Sequence, residues 1–188
     1  MRDKYIFLDR DGVINSDGEG VTEHGYITRW EDFHFLPGVL EAFKKASEAG
    51  YKIVIITNQQ GVAKGYHSEA ELFELTEKMT QAIKNAGGDV AGVFCCTHLK
   101  EENCGCRKPA AGLFHRAQEE LGLKDVCGKY YVGDTERDIQ AGRKVGLKTI
   151  LVLSGKTSTE EIQEWKEQPD HVCEDLLRAI EFIIKGDL

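Results

Sequence analysis

Two aspartates, Asp9 and Asp11, stand two residues apart at the end of the apolar run Tyr5-Ile6-Phe7-Leu8. Successive strand residues alternate faces, so carboxylates at i and i+2 project to the same side and converge on one point. Gly12 lets the chain turn away at once, leaving both acids at the carboxyl end of a strand, where open α/β sheets bind ligands. Such a pair suits a magnesium ion and a phosphate. The same residues also make an ordinary Asp-Gly turn. A calcium loop fails on spacing: counted from Asp9, the glycine required at position six falls on Ile14 and the closing glutamate on Gly20, and counted from Asn15 the closing position is Tyr26.

Three more stretches carry groups that a phosphate site needs. Thr57-Asn58-Gln59 offers a hydroxyl and backbone N–H groups at the end of a second apolar run. In Arg107-Lys108-Pro109 the proline is expected to set the first turn of a helix, placing both cations at its positive end. Gly133-Asp134-Thr135-Glu136-Arg137-Asp138 combines a glycine that permits close approach with an acid placed for a metal, although Asp134 could equally cap a helix. Separately, Cys96-Thr97-His98 and Cys104-Gly105-Cys106 frame a short loop with thiol and imidazole ligands only, a set suited to tetrahedral zinc. Cys95 is an alternative to Cys96, though it should face the other side of a strand. Cys127, Cys173, His34, His67, His115 and His171 read as core or surface residues.

The elements that must position these groups follow from periodicity. Val13 to Leu36 shows no sustained period and reads as a long surface loop, of a length that is usually functional or disordered. Pro37-Gly38 opens a helix with Val39, Leu40, Phe43 and Ala46 on one face, and Tyr51 to Thr57 has the β-branched density of a buried parallel strand. Ser68-Glu69-Ala70-Glu71 is a capping box for a long helix to about Ala86. A strand follows over Val90 to Cys96, then a helix over about Ala111 to Leu121 and a strand over Lys129 to Gly133. Ile139, Gly142 and Val145 mark a short helix closed by Gly146, and Thr149 to Leu153 is a fifth strand. Thr159-Glu160-Glu161 starts a helix on which Ile162 and Trp165 share a face. Val172-Cys173 forms a short edge strand before a final helix, Leu176 to Ile184. The alternation implies βαβ crossovers: an α/β fold with a Rossmann-like doubly wound parallel sheet and helices on both faces, in one domain over residues 1–188. The apolar helix stripes belong to its core.

In order and in flanking structure, the four strand ends match the motifs of the haloacid dehalogenase-like (HAD-like) phosphatases, and from Lys4 to Leu153 the chain resembles that superfamily. The resemblance implies that Asp9 attacks phosphorus, and that Asp11 protonates the leaving oxygen and then activates water against the aspartyl-phosphate. It implies Mg²⁺ on the Asp9 carboxylate, the Asp11 backbone carbonyl and Asp134, with Thr57 and Lys108 cradling phosphoryl oxygens and Asn58, Gln59 and Arg107 beside them. Asp9 should then be ionised while Asp11 starts protonated, two neighbouring acids with their pKa values pushed apart. The cysteine–histidine loop, just before Arg107-Lys108-Pro109, is similar to that of a zinc-containing branch that includes heptose 1,7-bisphosphate phosphatases and histidinol-phosphate phosphatases. There the zinc is structural, which implies Cys96, His98, Cys104 and Cys106 as ligands. His24-Gly25-Tyr26-Ile27 and Phe33 to Val39 look like the heptose enzymes, so a C7 phosphate is the expected leaving group. Two departures bear on substrate choice: a short insertion around Asp17-Gly18-Glu19-Gly20, and Thr135 where a lysine is expected.

The connections between motifs are consumed by expected helices and strands, so no separate cap domain fits and the site should be open. Specificity then falls to the loops Asn15 to Phe35, Asn58 to His67 and Thr97 to Arg107. With 24 Lys and Arg against 32 Asp and Glu, and a net charge of −8, clustered cations for a nucleic-acid backbone are not expected, which also disfavours a DNA 3′-phosphate as substrate. Arg2, Asp3 and Lys4 interrupt any leader-like apolar core, and no stretch approaches the ~18 apolar residues of a membrane span. The expectation is a cytosolic, monomeric enzyme acting on a small sugar phosphate, its six cysteines unpaired. The alternative from another class is a zinc-stabilised interaction protein on an inactive scaffold, against which every catalytic position holds a competent residue.

Overall fold

The computed structural model describes residues 4–18, 20 and 22–186. Arg2, Asp3 and Glu19, which entered the sequence reading, lie outside the described residues. Six strands form one parallel sheet in the order β3-β2-β1-β4-β5-β6: β1 Lys4–Leu8, β2 Tyr51–Asn58, β3 Val90–Cys96, β4 Tyr130–Gly133, β5 Lys148–Val152 and β6 His171–Cys173. β1 and β2 are apolar on both faces because helices cover both. Ile6, Leu8, Ile53 and Ile55 pack on one side with residues of α1 (Val39–Glu48), α2 (Glu69–Asn85) and α6 (Leu176–Gly186). Phe7, Val54 and Ile56 pack on the other with α3 (Gly112–Glu120) and α4 (Glu136–Lys144). The capping box on α2 forms as the sequence suggests, with Ser68 accepting from the Glu71 N–H.

This strand order reverses direction between β1 and β4. The chain leaves β1 toward β2 and β3, and leaves β4 toward β5 and β6, so a crevice opens at the carboxyl ends of the two central strands. Leu8 pairs with Val132, and the Asp9 N–H donates to Val132 O at 2.9 Å. Asp9 and Asp134 therefore leave the sheet side by side. Among the described residues no second sheet covers this end.

Three expectations are corrected. The stretch Val13 to Leu36 is not a surface loop: Val13, Ile14, Ile27 and Phe33 are buried in the larger core, and Trp30 stacks on Phe33 with centroids 5.2 Å apart. Its backbone is satisfied by local pairing, such as Ser16 N–H to His34 O and Leu36 N–H to Ile14 O, both 3.0 Å, which needs no helical or strand period. α3 starts at Gly112, three residues beyond Pro109, so Lys108 does not sit at a helix N-terminus. α5 (Thr159–Ile162) stops after one turn, and Trp165 reaches the small Ile139–Leu151–Ile162 cluster from the turn that follows.

Candidate active site

The strand ends bring Asp9, Thr57, Lys108 and Asp134 to the walls of one cavity of about 100 Å³, with Asp11 and Asp138 also lining it. Lys108, arriving from the loop before α3, is buried and places its ammonium 2.8 Å from Asp9 Oδ1 and 2.7 Å from Asp138 Oδ1. The Arg10 N–H also donates to Asp9 Oδ1, at 2.7 Å. Carboxylate oxygens of Asp9, Asp134 and Asp138 lie within 4.8 Å of one another, with Asp134 and Asp138 buried and the Asp9 side chain 13% exposed. Three such acids share a single ammonium, an excess of negative charge that a divalent cation would neutralise. Burial, with Asp138 and Asp11 adding to it, outweighs Lys108 and raises Asp9 to about 7. Burial and the charges of Asp138 and Asp9 also raise Asp134 well above the usual carboxylate range. The backbone leaves room for this carboxylate on purpose-built glycines: a Cβ on Gly12, at φ +82°, or on Gly155 would collide with it.

Asp11 behaves differently. Burial would raise it, but Arg10, Asn15 and Gln59 together hold its carboxyl below the usual range. Arg10 Nη2 donates to Oδ1 at 2.8 Å and Oδ2 at 3.0 Å, Asn15 Nδ2 to Oδ1 at 2.9 Å, and Gln59 Nε2 to Oδ2 at 2.8 Å. In the protein alone Asp9 is raised by burial and Asp11 is held low; the ionised Asp9 expected above is that of the Mg²⁺-bound site. Arg10, which follows Asp9 directly, folds back on Asp11 as a buried counter-charge and lowers it, whereas burial is what raises Asp9.

Gln59 does not expose its backbone N–H. Its N–H ends on Cys96 O at 2.7 Å and its side chain on Asp11 and on Thr57 Oγ1, so it braces the site and exposes no backbone donor. Asn58 grips the Lys108 backbone at both ends, donating to Lys108 O at 3.2 Å and accepting from Lys108 N–H at 3.0 Å. Sequence reasoning missed Arg10, Asn15, Tyr131 and Asp138. Asp138 accepts from Lys108, from Tyr131 Oη at 2.9 Å, and from the Thr135 N–H and hydroxyl at 3.0 and 2.5 Å. Its signal was present: Thr135-Glu136-Arg137-Asp138 reads as a capping box, which folds the Asp138 carboxylate back to the start of the helix, next to the strand end that carries Asp134.

A second cavity of about 310 Å³ adjoins the first and shares Asp11, Asn58, Arg137 and Lys156 with it. Its wall includes Arg107, His24, Gly25 and Tyr26. His24 stacks on Tyr66 at 4.3 Å and Gln60 donates to Tyr26 Oη at 2.6 Å, which ties the early loop to the one after β2.

Cys96, His98, Cys104 and Cys106 converge as the sequence suggested. Cys106 Sγ lies 3.2 Å from Cys96 Sγ, 3.4 Å from Cys104 Sγ and 3.2 Å from His98 Nδ1, and Cys96 Sγ is 3.6 Å from Cys104 Sγ. Ligands ~2.0–2.3 Å from a tetrahedral ion stand roughly 3.3–3.8 Å apart, so the four donors fit zinc. Cys95 is not among them. All six cysteines are free thiols.

Comparison with known proteins agrees with this geometry. Residues 105–179 match the HAD-hydrolase-like family model. The D-glycero-beta-D-manno-heptose-1,7-bisphosphate 7-phosphatase of Haemophilus ducreyi is 37% identical, over 97% of this chain and 100% of its own length. The protein of the same name from Pasteurella multocida is 38% identical over 97% of each chain. Among solved structures, the D,D-heptose 1,7-bisphosphate phosphatase from B. bronchiseptica, complexed with magnesium and phosphate, superposes with a TM-score of 0.86 at 32% identity, covering 97% of this chain and 99% of that one.

Proposed function

This chain belongs to the HAD-like phosphatases, and from that premise we propose that it removes the C7 phosphate of D-glycero-D-manno-heptose 1,7-bisphosphate, as the β-anomer. The observation that carries the reading is the convergence of Asp9, Lys108 and Asp134 where β1 and β4 diverge, with a larger cavity beside it for the rest of a two-phosphate sugar. The relatives' names supply the sugar and its anomer. The reaction belongs to nucleotide-activated heptose synthesis for a surface polymer such as lipopolysaccharide, carried out in the cytoplasm by a monomer. Free thiols agree with that compartment, and no described helix is long and apolar enough to cross a membrane.

An Asp9 carboxylate oxygen attacks phosphorus and the bond to the sugar oxygen breaks, with Asp11 giving that oxygen its proton. Water, deprotonated by Asp11, then attacks phosphorus and frees inorganic phosphate and Asp9. Arg10, Asn15 and Gln59 hold Asp11 as the carboxylate, the form needed for the second half. In the first half it must gain a proton and give up one of those donors. Lys108 and Thr57 meet phosphoryl oxygens, and Arg107 faces the distal phosphate. The Asp9 and Asp134 carboxylates, with the Asp11 carbonyl, would hold Mg²⁺, which supplies positive charge to the transferring group. Cys96, His98, Cys104 and Cys106 would hold a structural Zn²⁺ that braces the loop carrying Arg107 and Lys108.

The experiment compares kcat/KM for heptose 1,7-bisphosphate and for histidinol phosphate, with phosphate release followed with and without Mg²⁺. The bisphosphate should be preferred by well over tenfold. Histidinol phosphate proving tenfold better would overturn the sugar and keep the phosphatase. No Mg²⁺-dependent release from any phosphomonoester would favour the inactive scaffold.

A further inference from the structure

The cations around the two joined cavities are unequally engaged. Arg10 is committed to Asp11, Lys108 to Asp9 and Asp138, and Lys156 Nζ lies 3.6 Å from Asp17 Oδ2. In each case an acid in the same wall cancels the charge. Two guanidiniums are left. Arg107 lines the larger cavity and has Nη1 buried with no hydrogen-bond partner. Arg137, in the first turn of α4, lines both cavities, and no ion pair or hydrogen bond joins its side chain to another described residue. Thr135 cannot supply the cation that its position would otherwise bring. Its hydroxyl is spent on Asp138 Oδ2 at 2.5 Å, and it is held there by the same cap that shapes the start of α4.

We propose that Arg137 is the second specificity-determining cation of this site, forming with Arg107 a two-guanidinium clamp on the distal anionic group of a substrate whose other phosphate lies against Asp9. The inference rests on the bisphosphate reading above and adds the residue that discriminates. A dianionic phosphate presents three oxygens, enough for two forked donors, and a guanidinium binds such a group bidentately where an ammonium cannot. Arg107 comes from the loop before α3 and Arg137 from α4, so the two cations are fixed by separate elements. A substrate lacking the distal anion would leave both without an acceptor.

The test measures wild type, Arg137→Ala and Arg137→Lys on heptose 1,7-bisphosphate and heptose 7-phosphate, which share the reacting phosphate and differ in the distal one. Losing one charge-assisted contact should lower kcat/KM for the bisphosphate ~10–100-fold more than for the monophosphate, mainly through KM. Arg137→Lys should recover part of that difference. Equal losses on the two substrates would overturn the clamp. If the wild type shows no preference for the bisphosphate, the substrate reading falls by itself, and the clamp is judged by inhibition of p-nitrophenyl phosphate turnover. Sedoheptulose 1,7-bisphosphate should then inhibit at least tenfold better than sedoheptulose 7-phosphate, and Arg137→Ala should abolish the difference. A ratio near one in the wild type, or a ratio unchanged by Arg137→Ala, would refute it.

Discussion

Lys108 and Asp138 form an ion pair of 2.7 Å in which both side chains are all but inaccessible, and their neighbour Tyr131 hydrogen-bonds to each, at 3.0 and 2.9 Å. A buried ammonium is tolerated only where it is paired and hydrogen-bonded on several sides. Asp138 therefore acts through Lys108, fixing where the cation meets Asp9. Asp138→Asn should lower stability by ~2–3 kcal/mol, less than the ~3–5 expected when a buried charge is stranded, because Asp9 still faces Lys108. Chemical denaturation reads the first quantity. In the same protein kcat should fall while KM for p-nitrophenyl phosphate changes less. Unchanged stability and unchanged kcat would show that Lys108 is held without Asp138.

Asp9→Asn should abolish turnover and leave the fold in place. The amide has the same shape and can still accept from the Arg10 N–H, but it is a poor nucleophile and a poor magnesium ligand. Circular dichroism checks the fold, and trapping of the wild type with BeF₃⁻ checks the residue. A phosphoenzyme mapped to any other side chain would remove Asp9 from its role.

How much of this was legible depended on whether a residue's task has a local sequence signal. Strands such as Tyr51–Asn58 announce themselves because burial on both faces demands an unbroken apolar run, and Asp9 and Asp134 were readable because each follows such a run. Lys108 was placed instead by its match to the family motif, the helix expected at Pro109 starting only at Gly112. Arg10 was not readable. Nothing local distinguishes an arginine that folds back on Asp11 inside the protein from one that snorkels to solvent. The burial of Ile14 and Phe33 was equally hidden, since an irregular segment packs by tertiary contact and shows no period. The low pKa of Asp11 was hidden by the same omission, because Arg10 is the charge that offsets its burial.

Elemental analysis should find about one zinc per chain, as a closed four-ligand site requires. Cys104→Ala should lower the melting temperature and reduce activity without reaching the chemistry directly, since the loop it anchors runs into Arg107 and Lys108. The Gly112 N–H also bonds back to Gly105 O at 3.0 Å, so loosening this loop should loosen the start of α3. Full activity and an unchanged melting temperature in a zinc-free Cys104→Ala protein would make the cluster incidental.

Gly155 offers the sharpest test of the metal site, because its substitution alters space without altering charge. Its Cα lies where an added methyl would strike the Asp134 carboxylate, and its neighbour Lys156 donates a backbone N–H to Asp134 Oδ2 at 3.1 Å. The surrounding backbone is tied down as well, with Ser154 Oγ donating to Gly12 O at 2.9 Å and Thr157 Oγ1 to Asp134 O at 2.6 Å. The methyl would also collide with Asp134 Cβ, so the backbone at Gly155 or Asp134 must shift along with the carboxylate. Overpacking of this kind costs ~1–3 kcal/mol, so Gly155→Ala should remain folded with a modestly lower melting temperature. The Mg²⁺ concentration for half-maximal activity should rise at least tenfold, while kcat at saturating Mg²⁺ should fall less. A Gly155→Ala protein with wild-type magnesium dependence would mean that Asp134 is not among the ligands that set the affinity.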